Sequence, residues 1–295
     1  MMNLPTVVET NMVQRAKNAH PAYKKKLYKK RQYKKKQAAV VPATVGKSTE
    51  ITIALVYFAA ITSAELITAL ISPMSGIIIH ATLLLFLLVH AFLMDKHPSH
   101  KLYLALSLAP LIRIVSLSMP LSQFGDIQSY GIVAVPILVG IIVTVRILGY
   151  KPPDIGLTIY KLPLQLLVAL SGLWLGLAEY GILKPEAPIP TLTGGEIFFS
   201  ILIFIIATGF VEELAFRGVI QRAATEVLGG WGWIYAGALF SVLHIAYLSP
   251  AHWYLTLTIG LLFSWIVKKT GSLLGVTLAH GIANATLYLG IPSFL

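Results

Sequence analysis

The chain of 295 residues contains no cysteine. Disulfides, thiol nucleophiles and thiolate metal sites are thereby excluded, and nothing can be read about the redox compartment. Charge is scarce too: Asp, Glu, Lys and Arg make up 12% of the residues, against 56% hydrophobic. Soluble domains carry about 25% charged residues, so this composition excludes a soluble fold. Two common hydrolase signatures are also missing. There is no HExxH helix and no GxSxG elbow, which removes the zincin and serine-hydrolase readings.

What is present is apolar sequence in long runs. Apolar stretches recur near 51–72, 76–94, 101–119, 130–149, 162–182, 195–216, 232–248, 253–267 and 272–290. Most approach the ~20 residues that cross a bilayer core as a helix. The expected fold is all-α, a polytopic transmembrane bundle of about eight or nine spans, and the expected location is an integral, multi-pass membrane protein. Breakers fall between the runs: "SPMSG" at 72–76, "DKHPSH" at 95–100, "KPPDIG" at 151–156 and "KPEAPIPTLTGG" at 184–195. The last divides the chain. The expected organisation is a basic tail over 1–49, N-terminal membrane helices over 50–190 and a chemically active membrane core over 191–295. No internal repeat supports an inverted-repeat transporter.

Acids are nearly absent from the N-terminus, where residues 1–47 hold 12 Lys or Arg and a single acid, Glu9. The segment "AYKKKLYKKRQYKKKQ" (22–37) reads as a solvated cytoplasmic tail that helps fix topology. Anionic lipid headgroups are its expected partner, each nearby Lys or Arg contributing ~1 kcal/mol. Charge alone does not argue for nucleic acid. With the tail inside, Lys96, Lys101, Lys151, Lys161, Arg217, Arg222, Lys268 and Lys269 fall in cytoplasmic loops and Arg146 at the inner end of its helix, whereas Asp126, Lys184 and Glu186 fall outside, in keeping with the positive-inside rule.

A few ionisable residues lie at membrane depth. Glu65 and Arg113 each sit roughly 18–22 Å from the inner ends of their spans by helical rise, and pairing is the usual remedy for such charges. His80 and His90 are ten residues apart and face different directions, which predicts separate polar contacts rather than a metal site. The stretch "ATGFVEELAFRGVI" (207–220) is denser. Glu213 and Arg217 are spaced i,i+4, share a helix face and can pair. Glu212 points about 100° away and is left to face another helix.

His244 lies in the following run, and His280 and Asn284 lie i,i+4 in the last one. A carboxylate with an imidazole can take a proton from water. A second imidazole and a carboxamide can hold the oxyanion formed when water attacks a peptide carbonyl. One carboxylate and two imidazoles can in principle ligate zinc, but the expectation is no metal and no cofactor.

"EELAFRG", "FSVLH" and "TIGLLFSWIVKKTGSLLGVTLAHGIANA" together resemble the CPBP (CAAX protease and bacteriocin-processing, or Abi) family, whose pattern is EExxxR, FxxxH and HxxxN. Glu212, Glu213, Arg217, Phe240, His244, His280 and Asn284 occupy those positions. The resemblance covers roughly residues 195–290 and implies an intramembrane endopeptidase. Its expected substrate is a membrane-associated or prenylated, CAAX-type protein or peptide. It also implies that Glu212 with His244 activates water, that His280 with Asn284 forms the oxyanion site, and that Glu213 and Arg217 hold the helix. The family is often called metalloproteases, although its mechanism is read as glutamate-dependent and metal-free. A non-enzymatic bacteriocin-immunity or scaffolding protein of the same fold is the alternative, and an ion or solute transporter is a third.

Overall fold

A computed structural model describes residues 47–119, 121, 124–185 and 193–290. The basic 22–37 segment and Glu186 lie outside the described residues. Among these there are helices and turns but no strand. The helices are α1 (Lys47–Leu70), α2 (Pro73–Leu93), α3 (His100–Leu106), α4 (Leu108–Ser118), α5 (Asp126–Leu148) and α6 (Leu162–Leu183). They continue with α7 (194–228), α8 (Gly232–Val242), α9 (Pro250–Thr270) and α10 (Leu274–Ala285), the last running on as a π turn over Thr286–Gly290. The protein is an all-α polytopic membrane bundle.

Among the described residues, seven helical stretches are long and apolar enough to cross a membrane. That is fewer than the nine apolar runs, for two reasons. Two runs merge into one 54-residue stretch, Gly194–Tyr247, which turns tightly at Gly229–Trp231 and again after Val242. The last run has only 12 residues of α-helix before its π turn. The break between α3 and α4 has a local cause: Pro110 cannot donate to the carbonyl of Leu106, and Ser107 turns its hydroxyl onto Leu104 O instead (2.6 Å).

The outer surface is greasy. Phe92, Trp174, Leu85 and Phe86 are all exposed, as expected of side chains that meet lipid rather than water. Without a hydrophobic drive between helices, close approach depends on small residues. A methyl group added to Gly172 of α6 would collide with the backbone carbonyl of Ala279 on α10, and one added to Gly176 would meet the carbonyl of Ala283. These contacts bring α6 and α10 together side by side. Gly172→Val should therefore force them apart. Overpacking costs about 1–3 kcal/mol, to be read as a lower melting temperature in detergent, with Gly181→Val, whose neighbourhood is open, as the neutral control.

The isolated charges of the first half are neutralised as their depth suggested. Arg113 Nε lies 2.7 Å from Glu65 Oε1, with His80 Nε2 3.2 Å from the same oxygen. His90 is elsewhere, 2.7 Å from the Tyr57 hydroxyl. The two histidines thus serve separate contacts.

Candidate active site

Helix α7 is continuous but not uniformly α. Two π turns, Phe204–Phe210 and Leu214–Ile220, flank the three residues Val211–Glu213. In the first, the Val211 N–H reaches back to Ile206 O; in the second, Gln221 N–H reaches Phe216 O. Such i→i+5 turns occur mostly as single bulges inside α-helices, frequently at functional sites. Here they bracket the two adjacent carboxylates, which part company at once.

Glu213 points inward and is fully buried beside Arg217, whose Nη1 donates to Glu213 Oε1 at 2.9 Å. Arg217 is held on its other side as well. Its Nη2 donates to Gly260 O at 3.3 Å, and its guanidinium lies 4.1 Å from the centre of the Phe240 ring. Cation–ring attraction of this kind is strongest where water is excluded.

The same carboxylate oxygen holds a second partner from α10. His280 Nδ1 is 2.9 Å from Glu213 Oε1. A carboxylate can only accept, so the Nδ1–H donates and the ring is fixed in one orientation. Its other nitrogen, Nε2, turns toward Glu212 Oε2 at 4.0 Å. Glu212 has a third of its side chain exposed and lines a cavity of about 90 Å³.

His244 sits at the end of α8 and is anchored by Nδ1–H donation to Phe240 O at 2.9 Å, which leaves its Nε2 for the cavity. Phe240 is a shared wall: its ring lies 4.6 Å from the His244 ring and stands edge-on to His280 at 5.9 Å. Asn284, one turn beyond His280, donates through Nδ2 to Thr208 Oγ1 at 2.8 Å, and Thr208 donates on to Phe204 O at 2.6 Å. A carboxamide NH₂ carries two protons, so one remains for a ligand. Glu212, His244, His280 and Asn284 all line the one cavity, whereas Glu213 and Arg217 lie behind it. The carboxylate contact at Glu212 is to His280, and His244 meets Glu212 only across the cavity.

Two residues escaped sequence reasoning. Glu179, near the end of α6, also lines the cavity. His252, fully buried at the start of α9, reaches its Oε1 at 2.8 Å. The signal was available, since Glu179 is a lone carboxylate within an apolar run and such charges call for partners. The partner lies 73 residues away, and no local spacing points to it. Tyr247 packs its ring 4.3 Å from His252, and Tyr130 and Tyr288 complete this side of the cavity.

Among the described residues, no three His, Asp or Glu side chains are grouped so as to hold a metal ion. His280 Nδ1 and Arg217 Nη1 share Glu213 Oε1, so that carboxylate oxygen and that ring nitrogen are already committed, while His280 Nε2 faces Glu212.

Comparison with protein families gives a match over residues 194–286, about a third of the chain, to the family described as Type II CAAX prenyl endopeptidase Rce1-like. The matched segment holds α7 to α10 and all four residues placed around the cavity from the sequence, but not Glu179. Neither the curated proteins nor the solved structures contain a match to the chain.

Proposed function

We propose, from the premise that residues 194–286 belong to the Rce1-like family of type II CAAX prenyl endopeptidases, that this integral membrane protein hydrolyses a peptide bond within the bilayer. The substrate is a membrane-associated protein or peptide, prenylated CAAX-type proteins being the class named by the family. The observation that carries the reading is the grouping of one partly exposed carboxylate, two oriented imidazoles and a carboxamide around a cavity with room for water.

Glu212 accepts a proton from a water held between it and His244, and the water oxygen bonds to the carbonyl carbon. The carbonyl oxygen becomes an oxyanion, which takes hydrogen bonds from the free Asn284 Nδ2–H and from His280 Nε2–H. His280 must then carry protons on both nitrogens. The carboxylates on either side of the ring, Glu213 at 2.9 Å from Nδ1 and Glu212 at 4.0 Å from Nε2, favour this. On collapse the C–N bond breaks and Glu212 returns its proton to the leaving amine. No step calls for a metal, and hydrolysis by the purified protein is expected to survive EDTA and phenanthroline unchanged. A loss restored by added zinc would overturn that part.

The basic tail belongs to the same proposal as an anchor for anionic headgroups. The whole is tested by comparing membrane proteins and peptides, by mass spectrometry, between cells expressing the wild type and cells expressing His244→Ala. Accumulation of an uncut precursor in the variant supports hydrolysis. Full biological function in the variant, with no precursor, favours the non-enzymatic immunity or scaffolding role.

A further inference from the structure

The two ends of the bundle differ sharply in charge. At one end, Lys101 Nζ pairs with Glu226 at 3.1 Å, and Arg222 pairs with the same carboxylate at 2.9 Å. Tyr150 donates to it at 3.3 Å, and Lys268 reaches Gly230 O at 3.4 Å. These contacts join the start of α3, the segment after α5, the end of α7 and the end of α9. Ser272 donates to Thr158 O at 2.6 Å and adds the start of α10 to the same end. Lys96, Arg146, Lys151, Lys161 and Lys269 belong to this end by chain position. At the opposite end, among the described residues, Lys184 is the one Lys or Arg; Arg113 lies between the ends, paired with Glu65, and so does Arg217, which is buried against Glu213 rather than in a cytoplasmic loop as its position in the chain suggested.

The cavity keeps to the second end. Glu179 lies four residues before the end of α6, and Tyr130 four residues after the start of α5. Tyr247 follows α8, and Tyr288 lies in the π turn that ends α10. Glu212 and His280 sit near the middle of their helices, and Asn284 lies one turn beyond His280, toward this same end. No lining residue lies at the basic end. From mid-membrane, the polar wall therefore runs toward the end with few cations.

We infer that the cavity opens to the non-cytoplasmic side of the membrane, because basic residues concentrate at cytoplasmic ends. The substrate class follows, resting on the peptidase reading above: a peptide segment exposed at, or anchored in, the non-cytoplasmic leaflet. A chain end anchored in the cytoplasmic leaflet would instead meet the basic end, where the cavity has no wall.

The absence of cysteine allows single thiols to report sidedness without any background. Gly195 and Gly230 are exposed at opposite ends, and an added side chain meets nothing at either. Intact cells expressing Gly195→Cys, Gly230→Cys or Tyr247→Cys are treated with a membrane-impermeant maleimide, then compared with permeabilised cells. The Gly195→Cys and Tyr247→Cys proteins should label in intact cells, and the Gly230→Cys protein only after permeabilisation. The reverse pattern, or labelling of both glycine variants in intact cells, overturns the inference. If Gly195→Cys labels in intact cells but Tyr247→Cys only after permeabilisation, the cavity does not open to that side. A thiol at either glycine position that never labels contradicts the exposure on which the inference rests. None of these readouts depends on hydrolysis, so a protein that cuts nothing leaves the test of sidedness intact.

Discussion

Glu212→Gln is expected to lower peptide hydrolysis about 10²–10⁴-fold, the range of a positioned general base, while melting temperature and yield in detergent stay at wild-type values. The reason for both halves is the environment of this side chain. It faces the cavity, a third exposed, with His280 Nε2 4.0 Å from its carboxylate. A carboxamide of the same shape fills the same space and leaves no buried partner stranded, so little stability is at stake. What it cannot do is take a proton from water. Steady-state kinetics with a cleaved peptide, alongside a melt of the same preparation, measures the two halves together. A variant that melts early and cleaves normally would make Glu212 structural and leave the cavity without its base.

The adjacent carboxylate behaves in the opposite way. Glu213→Ala should destabilise the protein by about 3–5 kcal/mol, the cost of stranding one partner of a buried ion pair. Arg217 would be left buried with one carbonyl at 3.3 Å and an aromatic face, and His280 would lose the acceptor of its Nδ1–H. Removing both charges is less harmful than removing one. The double variant Glu213→Leu/Arg217→Met should therefore regain much of the lost stability. Activity should not return with it, because nothing then orients His280. Thermal melts of Glu213→Ala and of the double variant, with hydrolysis rates on each, test the split. A double variant as unstable as Glu213→Ala would show that the ion pair is not what Glu213 contributes. One that is both stable and fully active would remove His280's orientation from the mechanism.

These two outcomes separate what was legible in the chain from what was not. Glu213 and Arg217 are four residues apart on one helix, so their pairing follows from helical geometry and appears at 2.9 Å, even with π turns on either side of the carboxylates. Glu65 and Arg113 were legible for a different reason. They are isolated charges at similar depth in an apolar medium, and one remedy serves both. The all-helical membrane fold itself follows from composition, since in lipid every backbone group must find its partner within the chain.

Contacts between helices were decided elsewhere. That His280 bonds to Glu213 rather than Glu212, and that Glu179 finds His252, depends on how far each helix is rotated and how closely it approaches its neighbour. Close approach is set by glycines such as Gly172 and Gly176, which let α6 lie against α10, and rotation along α7 is reset by two π turns that no residue pattern announces. Helical spacing is a property of one segment and can be read from it. The meeting of segments 67 or 73 residues apart is a property of packing, and only the folded bundle supplies it.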